Sequence, residues 1–250
     1  MAEPLLRATD LVKTFGGLTA TDHLSLEVSE GEVHALIGPN GAGKTTVVGQ
    51  LVGELRPDSG RIEFAGEAID GLSPPARLLR GLARTFQISQ LLPDYTAADN
   101  VALAVQARAG HSFRFWRDAR GDARLRDEAA RHLADIGLEA VADRRVADLS
   151  HGQHKQLELA VALASRPRLL LLDEPMAGLG PTETQAMIGL LAGLKGRVTM
   201  LLIEHDMEAV FALADRVTVL VSGRAIASGL PAAIRDDPQV RDAYLGDGDA

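Results

Sequence analysis

The chain has 250 residues, 46% of them apolar, which suits one sizeable α/β domain or a domain with an inserted subdomain. Its net charge of −8 excludes a broad, sequence-independent grip on nucleic acid or anionic lipid, and its lack of cysteine excludes a disulfide, a thiol nucleophile and a cysteine-ligated metal. The longest aliphatic stretch, Leu169-Leu170-Leu171-Leu172, falls far short of a membrane span, and the N-terminus lacks a basic-then-apolar signal, so the chain is expected to stay where it is made.

The first third reads as a β-rich layer, with short alternating runs at 5–12, 24–28, 32–37 and 61–64 bounded by Gly, Asp or Ser. One helix interrupts it. Between the apolar run 33–37 and the helix-like segment 46–52 lies Gly38-Pro39-Asn40-Gly41-Ala42-Gly43-Lys44-Thr45, a match to the phosphate-binding pattern G-x-x-x-x-G-K-[ST]. In a chain of this composition such a match arises by chance on the order of 0.004 times. A strand, a glycine-rich turn and a helix in that order aim several backbone N–H groups and the positive end of the helix dipole at one point, where an anion belongs. Lys44 would reach the β and γ phosphates of a nucleotide, and the Thr45 hydroxyl would hold Mg²⁺.

From about residue 97 the pattern turns helical, through 100–105 and a charged segment at 120–136 that ends at Gly137. Residues 88–150 are therefore expected to form an inserted helical subdomain. Within it, Phe113-Arg114-Phe115-Trp116-Arg117 holds the only tryptophan, either packed inside the subdomain or lining a surface for a partner helix. Strand–helix alternation then returns, with strands at 169–172, 198–203 and 217–221 and helices at 183–194 and about 207–213. Such alternation implies a mostly parallel sheet with helices on its faces.

Two further segments carry candidate chemistry. Leu149-Ser150-His151-Gly152-Gln153 opens a helical run; Ser-x-x-Gln is a capping box, yet a glycine just inside the helix start also suits close approach to phosphate. One nucleotide already has such a helix at Lys44, so a second suggests that two chains share each ATP. The strand 169–172 ends in Asp173-Glu174, and ligands in open α/β sheets sit at the carboxyl ends of strands. Asp173 suits a Mg²⁺ ligand, and Glu174 can polarise the water that attacks the γ-phosphate. Alone, either acid could be a solvated strand end.

Taken in order, these residues resemble the ATP-binding subunit of an ABC transporter across nearly the whole chain, residues 5–246. The phosphate loop (Walker A) runs from Gly38 through Thr46, a Q-loop glutamine stands at Gln87, the signature lies at 149–153, Walker B ends at Asp173-Glu174, and a switch histidine stands at His205. The resemblance implies an α/β P-loop NTPase (RecA-like) core, about 5–87 and 151–246, with an N-terminal antiparallel β layer and the inserted α-helical subdomain. It implies ATP hydrolysis with Mg²⁺ in head-to-tail dimers, each ATP lying between one chain's phosphate loop and Ser150, Gly152 and Gln153 of the other. Gln87 would sense Mg²⁺ or the attacking water, His205 would contact the γ-phosphate, and Phe15 would stack on adenine. Apart from the family, Gln87 reads as an ordinary strand-end polar residue, His205 as a helix-start histidine, and Phe15 as core. The implied partners are a second ATP-binding subunit, identical or related, transmembrane permease subunits and, indirectly, a solute-binding protein, at the cytoplasmic face of the inner membrane; no nucleic acid is implied.

Two positions depart from the family pattern. His151 stands where the first signature glycine usually is, and Gly180 where many members carry an aspartate that communicates across the dimer. With Ile203-Glu204-His205-Asp206-Met207 and Tyr244-Leu245-Gly246, these look most like the subfamily for branched-chain amino-acid, amide and urea uptake, and the lipopolysaccharide-export ATPase is similar in the same places. The excess of arginine over lysine points to a GC-rich bacterial genome. A soluble ABC ATPase acting on nucleic acid or ribosomes would carry paired nucleotide domains or long coiled-coil insertions, which this chain lacks; a weakly hydrolytic regulatory subunit sits poorly with intact Lys44, Glu174 and His205.

Overall fold

A computed structural model describes residues 3–85, 91–108 and 122–245. In chain order it has β1 (Leu6–Phe15), β2 (Leu18–Val28), β3 (Val33–Ile37), α1 (Lys44–Val52), β4 (Ser59–Phe64), β5 (Glu67–Ala68), α2 (Pro74–Leu79), β6 (Leu82–Arg84), α3 (Ala97–Arg108) and α4 (Ala123–Asp135). Two single-turn 3₁₀ segments, Glu139–Val141 and Val146–Asp148, lead to α5 (His151–Ala164), β7 (Leu169–Asp173), α6 (Pro181–Leu194), β8 (Thr199–Ile203), α7 (Met207–Leu213), β9 (Arg216–Val221), β10 (Arg224–Gly229), α8 (Pro231–Arg235) and α9 (Pro238–Leu245).

The strands divide between two sheets. An antiparallel sheet has the order β2-β1-β4-β5, and a six-stranded sheet has the order β10-β9-β3-β8-β7-β6, parallel throughout except for the edge strand β10. The run at 32–37, grouped by alternation with the N-terminal layer, therefore belongs to the other sheet as β3. Its five residues are all buried, the signature of a strand covered on both faces.

Strand periodicity separates the two halves of the core. Leu169 and Leu171 of β7 point into an apolar layer shared with the antiparallel sheet (Leu6, Leu24, Ile62) and α1 (Val48, Leu51). Leu170 and Leu172, one residue out of phase, point to the opposite face against α5 and α6. The helix after the glycine-rich turn is thus held between two sheets. Its C-terminal end is closed by Arg77, 2% exposed, whose guanidinium donates to the carbonyls of Gln50 at 2.8 Å and Leu51 at 2.6 Å, where a cation complements the helix dipole. Burial pulls the Arg77 pKa down from its ordinary value, and Asp70 opposes that.

β6 and β7 are parallel neighbours, so α3, α4 and α5 lie within one long crossover between them. It builds its own packing from spacings of four: Ala97, Val101 and Val105 of α3 and Leu125, Ala129 and Leu133 of α4 are buried together. Asp122 starts α4 by accepting the Arg124 amide at 3.0 Å. Phe113 and Trp116 lie outside the described residues. No helix among the described residues is long and apolar enough to cross a membrane.

A polar pocket interrupts the apolar sheet at the start of β3. His34, 1% exposed, puts Nε2 2.8 Å from the Thr218 hydroxyl and Nδ1 3.1 Å from Oε1 of Glu32, whose Oε2 accepts the Ser29 amide at 2.8 Å. Burial acts to raise the Glu32 carboxyl, but the His34 imidazole and Ser29 outweigh it and hold the pKa at about 2, against an ordinary 4.5. A carboxyl depressed on folding contributes stability that is complete above its unfolded pKa and is lost as pH falls through the folded one. Glu32→Gln should therefore destabilise at neutral pH, and its deficit in urea midpoint should shrink as pH drops below 4.5 toward 2. A deficit that stays constant with pH would contradict this.

Candidate functional site

The C-terminal ends of β3, β8 and β7 lie level in the parallel sheet. Ile203 of β8 is in register with Leu36 of β3 on one side and with Asp173 of β7 on the other. The segments that follow those strands, 38–46, 204–206 and 174–180, are therefore brought to one edge, where ligands of such sheets bind.

The turn after β3 needs glycine for space. A Cβ on Gly38 would run into the carbonyl of Leu220, and one on Gly43 into that of Ala20. Gly43, at φ +105, is the N-cap of α1 and provides no side-chain cap, so the first amides of the helix point outward without a side-chain acceptor. Pro39, Asn40, Gly41 and Ala42 complete the turn, which is braced by Ala42 N donating to Pro39 O and Gly223 N donating to Ala42 O. Lys44 folds back over it, donating to Gly38 O at 2.6 Å and Pro39 O at 2.9 Å. Burial lowers the pKa of its ammonium from the ordinary value, and the negative charges of Glu174 and Asp173 pull it back up, which places both acids within electrostatic reach of the loop. Thr45 is exposed and Thr46 half-buried beside it.

Asp173 is 4% exposed, and its Oδ2 accepts Arg84 Nη2 at 2.7 Å; Arg84 reaches Glu54 as well, also at 2.7 Å. Glu174 takes an unusual left-handed conformation, φ 49, and its amide donates to Ile203 O, extending the ladder by one residue. A non-glycine residue held there costs of order 1–3 kcal/mol and must be over-determined by its surroundings. His205 Nδ1 lies 4.0 Å from Glu174 Oε1, so these two candidates are adjacent, and the imidazole is 65% exposed.

Sequence reasoning missed the residue that fixes this corner. Glu204 is fully buried and accepts three backbone amides: Met176 N at 2.9 Å on Oε1, and His205 N at 3.0 Å and Asp206 N at 3.4 Å on Oε2. One carboxylate thus ties the loop after Glu174 to the segment carrying His205. The available signal was an acid directly after the apolar run Met200-Leu201-Leu202-Ile203, the kind of signal that singled out Asp173.

At the other candidate helix, the capping box forms as read: Gln153 N donates to Ser150 Oγ at 3.2 Å, and Ser150 N to Gln153 Oε1 at 3.0 Å. The Ser150 hydroxyl keeps a proton to donate, and Gly152 is buried. Among the described residues, no hydrogen bond or ion pair joins 150–153 to 38–46. Phe15 ends β1 at a hairpin tip, 46% exposed, with Lys13 Nζ 5.5 Å from its ring centroid, so it is not a core residue. Gln87 lies outside the described residues.

A glycine-rich anion cradle on an α/β sheet edge, with Asp173, Glu174 and His205 beside it, defines a nucleotide-hydrolysing class of site. The chain belongs to the ABC transporter family: the model of the ABC transporter domain matches residues 21–177, and ATP hydrolysis is the activity of that family. A model described as "branched-chain amino acid ATP-binding cassette transporter" matches residues 226–250. The high-affinity branched-chain amino acid transport ATP-binding protein BraF of Pseudomonas aeruginosa is 40% identical, covering 99% of this chain and all of that protein. Its counterpart LivG of Salmonella typhimurium is 39% identical with the same coverage. Among solved structures, the ADP conformation of an ATP-binding cassette of an ABC transporter superposes with a TM-score of 0.87 at 30% identity, covering 98% of this chain and all of that one.

Glu204→Gln replaces one acceptor oxygen by an amide that opposes a backbone N–H. Leaving such a group unsatisfied costs about 1–3 kcal/mol. Urea unfolding should show a loss of that size, and a change under ~0.5 kcal/mol, the ordinary scatter of surface substitutions, would show that Glu204 is not the tie.

Proposed function

We propose that the chain is the ATP-hydrolysing subunit of a bacterial uptake system for branched-chain amino acids or related amides. It would sit peripherally on the cytoplasmic face of the inner membrane, held by permease subunits that a solute-binding protein supplies. Three strand ends level at Ile203, with Lys44 in electrostatic reach of Asp173 and Glu174, are the observation that carries the catalytic reading. The C-terminal match at 226–250 and the names of the full-length relatives favour the substrate class.

In this reading the amides of residues 38–46 and Lys44 hold the β and γ phosphates, and Phe15 stacks on adenine. Glu174 accepts the proton of the attacking water as its oxygen bonds to the γ-phosphorus and the bond to the β–γ bridging oxygen breaks, giving ADP and phosphate. His205, beside Glu174, donates to the γ-phosphate. Thr45 and Asp173 are hard oxygen donors, a sparse set that fits Mg²⁺ completed by phosphate oxygens and water. Thr45, Asp173 and Gln87 would hold that ion, which neutralises phosphate charge when bound. Arg84 pairs with Oδ2 of Asp173.

Ser150, Gly152 and Gln153 serve the ATP of a second subunit, identical or related. Residues 88–150 act as the helical subdomain that meets the membrane. Beside it a groove of about 850 Å³ is lined by Leu78 and Leu79 of α2, Ala104 of α3 and Val161 of α5, together with Arg80, Arg108 and Arg166. Leu79 is 77% exposed at its edge. A cytoplasmic segment of the permease with an apolar face and acidic flanks would fill it.

Lys44→Ala should lose ATP affinity by ~2–5 kcal/mol, more than tenfold, while keeping its fold, as read by binding titration and circular dichroism. Leu79→Glu should keep the affinity and lose uptake of branched-chain amino acids in the reconstituted transporter. Equal ATP affinity in the first variant would remove the phosphate-loop assignment; undiminished uptake in the second would remove the groove.

A further inference from the structure

One departure from the family pattern, His151, touches the loop that carries the other, Gly180. His151, the first residue of α5, turns its ring away from its own helix toward the loop that follows Glu174, placing Nε2 3.3 Å from the carbonyl oxygen of Ala177. The next residue, Gly178, lies at φ +77, and a Cβ there would stand 2.8 Å from the same Nε2. The ring therefore occupies a seat that only glycine leaves open. Two residues further on, Gly180 N donates to Glu183 Oε2 at 3.1 Å, and the other oxygen of Glu183 packs over Gly152, where a Cβ would stand 2.6 Å from it. The loop 177–180 is thus fastened at both ends to the start of α5.

This loop is stiff between the catalytic acid and the fastening point. Ala177 N donates to Glu174 O at 3.1 Å, Leu179 N to Met176 O at 3.1 Å, and Met176 N to the buried Glu204. These bonds connect Glu174 to the Ala177 carbonyl through a short hydrogen-bonded run of backbone.

We infer that His151 is a positioning residue that couples the two ATP sites of the assembly through a single chain. The inference rests on the two-chain reading above. Glu174 serves the nucleotide on the chain's own phosphate loop, whereas Ser150 and Gly152 serve the nucleotide on the partner chain's loop, and the imidazole is the hydrogen-bonding link between the two segments. Gly180 has no carboxylate to signal across the dimer; the Nε2 contact carries the signal within the chain instead. The histidine that replaces a signature glycine and the glycine that replaces the loop aspartate are then two parts of one arrangement.

The test is the Hill coefficient of ATP hydrolysis by the full chain, with its cognate partner chain where the native pair is heteromeric. Two coupled sites allow a coefficient up to 2, and weaker coupling lowers it. Wild type should exceed 1, and His151→Ala should fall clearly below the wild-type value with an unchanged melting temperature. His151→Gln, whose amide N–H can still reach the Ala177 carbonyl, should restore cooperativity, and Gly178→Ala, which keeps the histidine but fills its seat, should not have it. Equal coefficients in wild type and His151→Ala, in a protein that does dimerise with ATP, would overturn the inference alone. Failure of the slowly hydrolysing Glu174→Gln variant to dimerise with ATP would overturn the two-chain reading and the inference with it. A parallel loss of cooperativity and thermal stability that His151→Gln does not rescue would assign His151 a structural role and also overturn the proposal.

Discussion

The parallel register of β3, β8 and β7 is the constraint on which the rest depends. Ile203 faces Leu36 on one side and Asp173 on the other, so the glycine-rich turn, the paired acids and the Glu204-His205 segment leave the sheet at one level. All fifteen residues of these three strands are buried, and alternate side chains of β7 enter different apolar layers. A slip of one residue would exchange the layers that Leu169 to Leu172 fill and would withdraw Asp173 or Glu174 from Lys44. Hydrophobic burial therefore sets the position of the charged groups to within a residue, and the charges need only orient themselves locally.

Those charges balance one another in the described conformation. Lys44 bonds to two carbonyls of its own loop, Asp173 is paired with Arg84, and Glu204 spends its charge on three amides. Each is a buried or half-buried charge with a partner, as the cost of burying an isolated one demands. In the proposed reading a nucleotide would compete for Lys44. Glu204 is different, because its partners are backbone groups on two segments and it holds geometry regardless of what binds. The left-handed backbone of Glu174 lies between these two cases, a local strain sustained by the Ile203 hydrogen bond on one side and the Glu204-bound Met176 on the other.

Much of this was legible in the sequence because its physics is local. The turn 38–45 is legible since only glycine tolerates the Leu220 and Ala20 carbonyls, and β7 since a strand covered on both faces must be continuously apolar. The capping box at Ser150 and Gln153 depends on four adjacent residues and formed as read. What could not be read is long-range. Nothing near Glu204 announces an amide 28 positions away at Met176, nothing near Arg77 announces the carbonyls of Gln50 and Leu51, and His151 gives no hint of Ala177. The run 32–37 was assigned to the wrong layer for the same reason: alternation identifies a strand, while pairing partners are chosen across the whole chain. The segments carrying Gln87, Phe113 and Trp116 lie outside the described residues.

The central claim is that the phosphate loop of one chain and the signature helix of another make one ATP site. It is tested most directly by static light scattering on Glu174→Gln, with the cognate partner chain where the pair is heteromeric, in the presence and absence of ATP and Mg²⁺. The variant should bind ATP, hydrolyse it slowly and accumulate a species of twice the 26.5 kDa subunit mass only when ATP is present. A variant that binds ATP yet stays at the subunit mass, or that hydrolyses ATP at the wild-type rate, would contradict the account.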